Sequence, residues 1–196
     1  MLQRKLRGPV SALINPLCRA LVKVGIKANH LTVLGTLGVS ISSLYFFARG
    51  QFWIGTLVVA AFALLDLLDG SVARIADQRP SKWGALLDST LDRISDALIL
   101  IGIFMYFEGK SDLGVSLSIA VLVASGLVPY IRARAEGLGI ECSVGIGERT
   151  ERLIFLLVGT GLYGLGLDGA LMTSLWLVLV MSVVTIVQRL AVVFRA

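Results

Sequence analysis

Six apolar stretches recur along the chain, at roughly 31–49, 52–76, 84–107, 113–134, 151–167 and 170–190. Each approaches the ~20 residues that a helix needs to cross a hydrocarbon layer about 30 Å thick. Such a layer offers no water to backbone N–H and C=O groups, so spanning segments must satisfy these groups within helices. Composition agrees: the chain is 56% hydrophobic and 16% charged, with a mean hydropathy of +0.86. Ordinary soluble domains carry about 25% charged residues. The pattern predicts an all-α, polytopic membrane protein: a single domain over 1–196 in which six transmembrane helices form one bundle over 31–190. Residues 1–26 interleave Arg4, Lys5, Arg7, Arg19 and Lys23 with Leu, Val and Ile, which predicts an amphipathic helix lying in the membrane interface. This segment is broken by Pro9 and Pro16 and lacks the continuous apolar run of a signal peptide.

Charge sets the expected orientation. All but two of the 18 Lys and Arg residues fall in the amino-terminal segment, the 76–83 turn, the 132–152 connection and the carboxyl terminus, counting helix ends. Arg49 and Lys110 stand alone on the other side. The positive-inside rule then places both termini in the cytoplasm, as an even number of crossings requires. The basic residues are dispersed among apolar spans without aromatic stacking partners, so nucleic acid is not an expected ligand. Cys18 and Cys142 lack metal-type spacing, and His30 has no second His or Cys nearby, which points to a structural or substrate-edge role.

The second span ends LLDLLDGSVAR and the third begins WGALLDSTLDRISD. Asp66 and Asp69 are three apart and Asp88 and Asp92 four apart, so each pair shares one helix face, and the turn between the spans brings the faces together. Four converging carboxylates repel one another, and each ionisable group at membrane depth costs about 2.5–3.5 kcal/mol on insertion scales. Arg74 and Arg93 offset part of this, but an oxygen-only cluster suits Mg²⁺ or Mn²⁺. The plain alternative, separate interface carboxylates paired with nearby cations, would have to hold for all four on two facing stripes. Gly70 leaves room for a ligand beside Asp69, Ala73 and Gly84 keep the helices slim, and Arg74 one turn on suits a phosphate or a base edge. Intramembrane carboxylates also mark ion paths, so a divalent-cation transporter is the competing class. Transporter sites usually lie near the midplane between repeats, and no repeat is visible in this chain.

Asp66-x₂-Asp69-Gly70-x₂-Ala73-Arg74, followed by Gly84-x₃-Asp88-x₃-Asp92, resembles the motif of the CDP-alcohol phosphotransferase family. Nine residues separate Arg74 from Gly84 where eight is usual, and the extra residue falls in the polar turn. The resemblance implies a six-helix membrane enzyme in which an alcohol attacks a phosphorus of a CDP-linked lipid and CMP leaves. It makes Asp66, Asp69 and Asp88 metal ligands, and Asp92 both general base and second-metal ligand, for two Mg²⁺ or Mn²⁺ ions per site. It assigns the CDP-diacylglycerol contacts to Asn29, His30, Leu31, Thr32, Gly70, Arg74 and Ser81. The chemistry is coherent: paired metals clamp a pyrophosphate and stabilise the leaving oxygen, while a carboxylate accepts the alcohol proton.

Four further segments, 89–96, 130–139, 148–153 and 187–190, resemble the actinobacterial members of that family that join CDP-diacylglycerol to inositol phosphate. Arg132, Arg152 and Arg189, each at the cytoplasmic end of its helix, then form an expected tri-cationic pocket for the acceptor's phosphate, with Arg134 and Arg149 nearby. Positive-inside topology alone would also account for arginines there. Arg132 stands where the family often has Lys, which keeps the charge and changes the contact geometry. Glu136, Glu148 and Glu151 are expected as salt-bridge partners. Glycerol 3-phosphate is the alternative acceptor, since it too carries a phosphate. The resemblance also implies a homodimer in the cell membrane, acting in phospholipid biosynthesis.

Overall fold

A computed structural model describes residues 28–75 and 81–196, with Pro16, Arg19 and residues 22–25; for residues 66–71, 73 and 74 it describes the backbone alone. The expected interfacial helix at 1–26 therefore lies almost wholly outside the described residues, as does most of the 76–83 turn. The described residues form six helices and no strand. These are α1 (Ala28–Ser42, continued by a π-helical turn, Ser43–Phe47), α2 (Phe52–Ile75), α3 (Lys82–Phe107), α4 (Asp112–Gly137), α5 (Arg149–Gly164) and α6 (Ala170–Arg195).

Local chemistry sets the boundaries. Gly50, at φ +74°, closes α1 with its N–H on the Phe47 carbonyl at 2.9 Å, a left-handed position that disfavours any side chain. The Ser111 hydroxyl accepts the Gly114 N–H at 3.1 Å and caps α4. At the start of α5, Glu148 and Glu151 form a capping box, with the Glu148 N–H on the Glu151 carboxylate at 3.0 Å. These two acids, expected as salt-bridge partners, together cap the start of the helix. Helix α5 stops at Gly164, three residues before the expected end, because Gly166 turns the backbone at φ +92°.

Among the described residues, three helical stretches are long and apolar enough to cross a membrane: Ala28–Phe47, Asp112–Gly137 and Ala170–Arg195. The apolar run of α2 at Phe52–Leu65 is shorter, α3 carries Asp88, Asp92, Arg93 and Asp96 between its start and its middle, and α5 has 16 residues. At 1.5 Å per residue α5 is about 24 Å long, short of a full hydrocarbon layer. Length and apolarity thus establish a helical membrane protein.

The chain divides into two compact units. The first joins Met1–Ile41 to Val58–Ser95. Its core sets Leu31 and Val72, both buried, against Val22, Leu65 and Ile75. Gly38 leaves the space filled by the Phe62 ring. The second unit joins Ser42–Leu57 to Asp96–Ala196, and its buried side chains include Phe47, Phe52, Ile99, Ile103, Val121, Leu171, Leu175 and Val178. The Thr56 and Thr160 hydroxyls lie 2.7 Å apart in its interior, and those of Tyr106 and Tyr163 lie 2.6 Å apart. Arg49 stacks over Tyr45 at 4.0 Å and Lys110 over Tyr106 at 3.8 Å, so both isolated cations rest on aromatic faces.

Candidate active site

The first unit holds the aspartate motif. Helix α2 runs unbroken through Asp66, Asp69, Gly70 and Arg74, which gives those residues the helical spacing expected of them, while their side chains lie outside the described residues. Helix α3 is continuous through Asp88 and Asp92, so these two stand one turn apart on one face. Asp88 is exposed, whereas the Asp92 side chain is 16% exposed and has the Arg93 guanidinium 3.5 Å from Oδ2. A largely buried carboxylate needs positive charge nearby to stay ionised. The pair offers only hard oxygen donors, a set that fits Mg²⁺ or Mn²⁺.

The expected nucleotide contacts divide by exposure. His30 is exposed and Asn29 half-buried, both at the first turn of α1. Leu31 and Thr32 are buried; Leu31 belongs to the core, and the Thr32 hydroxyl donates to the Ala28 carbonyl at 3.2 Å. Those two shape the turn that carries Asn29 and His30. Ser81 caps α3, its hydroxyl oxygen accepting the Gly84 N–H at 2.9 Å. A Cβ on Gly84 would lie 2.9 Å from that oxygen and 3.5 Å from Asn29 Oδ1, so glycine here lets the two helix starts close together.

The second unit gathers the three expected acceptor arginines around the 138–148 connection. Arg189, 3% exposed, donates from Nε to the Val144 carbonyl at 2.9 Å and from Nη1 to the Val128 carbonyl. Arg152, 6% exposed, donates from Nη1 to the Gly147 carbonyl. Arg132 is exposed and pairs with Glu136 at 2.9 Å, and it interacts electrostatically with Arg189 and Glu148. Of the three arginines of the expected tri-cationic pocket, one is exposed and two are buried and hold main-chain oxygens. Each guanidinium has five N–H donors, so the charge persists beyond these bonds. Arg134 is exposed in the last turn of α4, where a cation complements the helix dipole.

Asp96 was not singled out from the sequence. Its Oδ1 accepts from Arg149 Nε at 3.2 Å, and both side chains are mostly buried. Together with Arg152 and Ser125 they line a cleft whose other walls are aliphatic, among them Ile99, Leu156 and Val178. The available signal was an acid one turn beyond Asp92, deep in a span, with arginines on a later connection.

Comparison with known proteins places this geometry among lipid-synthesising enzymes. The CDP-alcohol phosphatidyltransferase family matches residues 26–193, a stretch that runs through both units. A phosphatidylinositol phosphate synthase of Streptomyces avermitilis is 39% identical over 204 residues, covering 100% of this chain and 83% of that one. One from Cutibacterium acnes is 37% identical, covering 97% and 96%. Among solved structures, the Mycobacterium tuberculosis phosphatidylinositol phosphate synthase with manganese and citrate is 37% identical, with a TM-score of 0.86 over 92% of this chain and 88% of that one. The same enzyme with CDP-DAG bound gives 37% identity and a TM-score of 0.85 over 93% and 94%.

Proposed function

Because the chain belongs to the CDP-alcohol phosphatidyltransferase family, we propose that it transfers the phosphatidyl group of CDP-diacylglycerol to inositol phosphate, yielding phosphatidylinositol phosphate and CMP. The observation that carries this reading is the likeness over more than nine-tenths of the chain to a solved synthase with CDP-DAG bound. Asp66, Asp69, Asp88 and Asp92 hold two divalent ions, Mg²⁺ or Mn²⁺. When bound, these supply charge neutralisation at the pyrophosphate. Asn29, His30, Gly70, Arg74 and Ser81 receive the cytidine diphosphate, with Leu31 and Thr32 supporting the first turn. Asp92 takes the proton of the attacking inositol hydroxyl as the new P–O bond forms and the bond to CMP breaks. The Arg93 guanidinium, 3.5 Å from Oδ2, places positive charge beside that carboxylate. Exposed Arg132 meets the acceptor's phosphate, with Arg152 and Arg189 supplying further charge.

In this reading all six helices cross the cell membrane, α3 and α5 with their charged starts at the cytoplasmic face. Both termini and the site are cytoplasmic, and the whole chain is one domain. The enzyme works as a homodimer through exposed apolar helix faces. Purified protein is to be given CDP-diacylglycerol, Mg²⁺ or Mn²⁺, and inositol phosphate, with CMP release followed. No CMP above the acceptor-free control overturns the proposal, and faster release with glycerol 3-phosphate in competition overturns the choice of acceptor.

A further inference from the structure

We infer that Asp96 is a positioning residue for acceptor binding: through its ion pair with Arg149 it holds the first turn of α5, and with it the Arg152 guanidinium, in place to receive the acceptor's phosphate. This rests on the acceptor reading above. Arg149 and Arg152 lie three residues apart, on one face of α5, and both line the cleft that Asp96 enters from α3. The aliphatic floor formed by Ile99, Leu156 and Val178 offers no counter-charge, so the carboxylate is held at the arginine mouth. Arg149 Nε at 3.2 Å provides that hold, and the mostly buried setting weakens screening. Arg152 in turn grips the Gly147 carbonyl, so a shift of the first turn of α5 displaces both the guanidinium and the connection before it.

The test compares Asp96→Asn, Arg149→Met and their combination with the unaltered enzyme, measuring KM for each substrate, kcat and melting temperature. Each single change is expected to raise the acceptor KM about tenfold, leaving the CDP-diacylglycerol KM within twofold, and the double variant to be no worse than either single one. Asp96→Glu, which keeps the charge, is expected to recover most of the acceptor affinity. An unchanged acceptor KM, additive effects, or a parallel rise in both KM values with a fall in melting temperature would overturn the inference. If a variant does not fold, Asp96→Ser and Arg149→Gln, which likewise remove the charges, supply the same comparison. Should the unaltered enzyme favour glycerol 3-phosphate, the acceptor assignment fails by itself, and the KM comparison is made on that acceptor.

Discussion

Replacing Arg189 by Met separates a clamp from a phosphate ligand. The substitution keeps an unbranched apolar stem and removes the guanidinium that donates to the Val144 and Val128 carbonyls. A hydrogen bond from a charged donor contributes about 1.5–3 kcal/mol net. Two such bonds give roughly 3–6 kcal/mol, and relief from burying a charge at 3% exposure returns part of it, leaving about 2–4 kcal/mol. At 1.36 kcal/mol per tenfold change, opening of the 138–148 connection becomes roughly 30- to 900-fold more frequent. Hydrogen exchange in lipid nanodiscs reads this directly, most clearly at the Gly147 N–H, which donates to the Thr185 hydroxyl at 3.0 Å. Arg189→Lys is expected to fall between, because one ammonium lacks the planar fork that reaches both oxygens. Unchanged exchange across 138–148 in Arg189→Met, together with a raised acceptor KM, refutes the clamp and makes Arg189 a direct phosphate ligand.

Asp92→Asn is expected to lower turnover at least ~100-fold while keeping CDP-lipid binding; unimpaired turnover removes Asp92 as base. Chelation with EDTA should stop CMP release, and Mg²⁺ or Mn²⁺ should restore it, an outcome that a metal-independent reaction would not give. Gly84→Ala crowds the Ser81 cap and is expected to cost about 0.5–2 kcal/mol, read as a lower melting temperature and a higher KM for CDP-diacylglycerol alone. A double-mutant cycle with Thr56→Val and Thr160→Val should return about 0.6 kcal/mol of coupling, and additivity would mean that the hydroxyls do not bond in the membrane.

The parts legible in the sequence were those governed by local physics. Apolar length located the helices, and helical spacing paired Asp66 with Asp69 and Asp88 with Asp92. The use made of the arginines was not legible. Arg189 bonds the carbonyl of Val144, 45 residues away, and no side-chain pattern announces a main-chain acceptor. The Glu148–Glu151 capping box was passed over because Glu is an uncommon first member of one. Asp96 was passed over because the four-aspartate pattern was complete before it, and its partner Arg149 lies 53 residues on. Early termination of α5 hinged on Gly166 adopting a left-handed turn, a choice glycine permits without announcing it.

The grip of two buried arginines on the α4–α5 connection has an evolutionary corollary. Val144 and Gly147 are held by their carbonyl oxygens, which every amino acid possesses, so the hold does not depend on the side chains along that stretch. Glu141, Ser143 and Ile146 are exposed and are free to drift in lineages that keep the enzyme working. Gly145 and Gly147 are not, since a Cβ at either would press into Thr185 or Met181 of α6. Related sequences should therefore vary between fixed glycines, with the arginines constant although they recognise no particular residue.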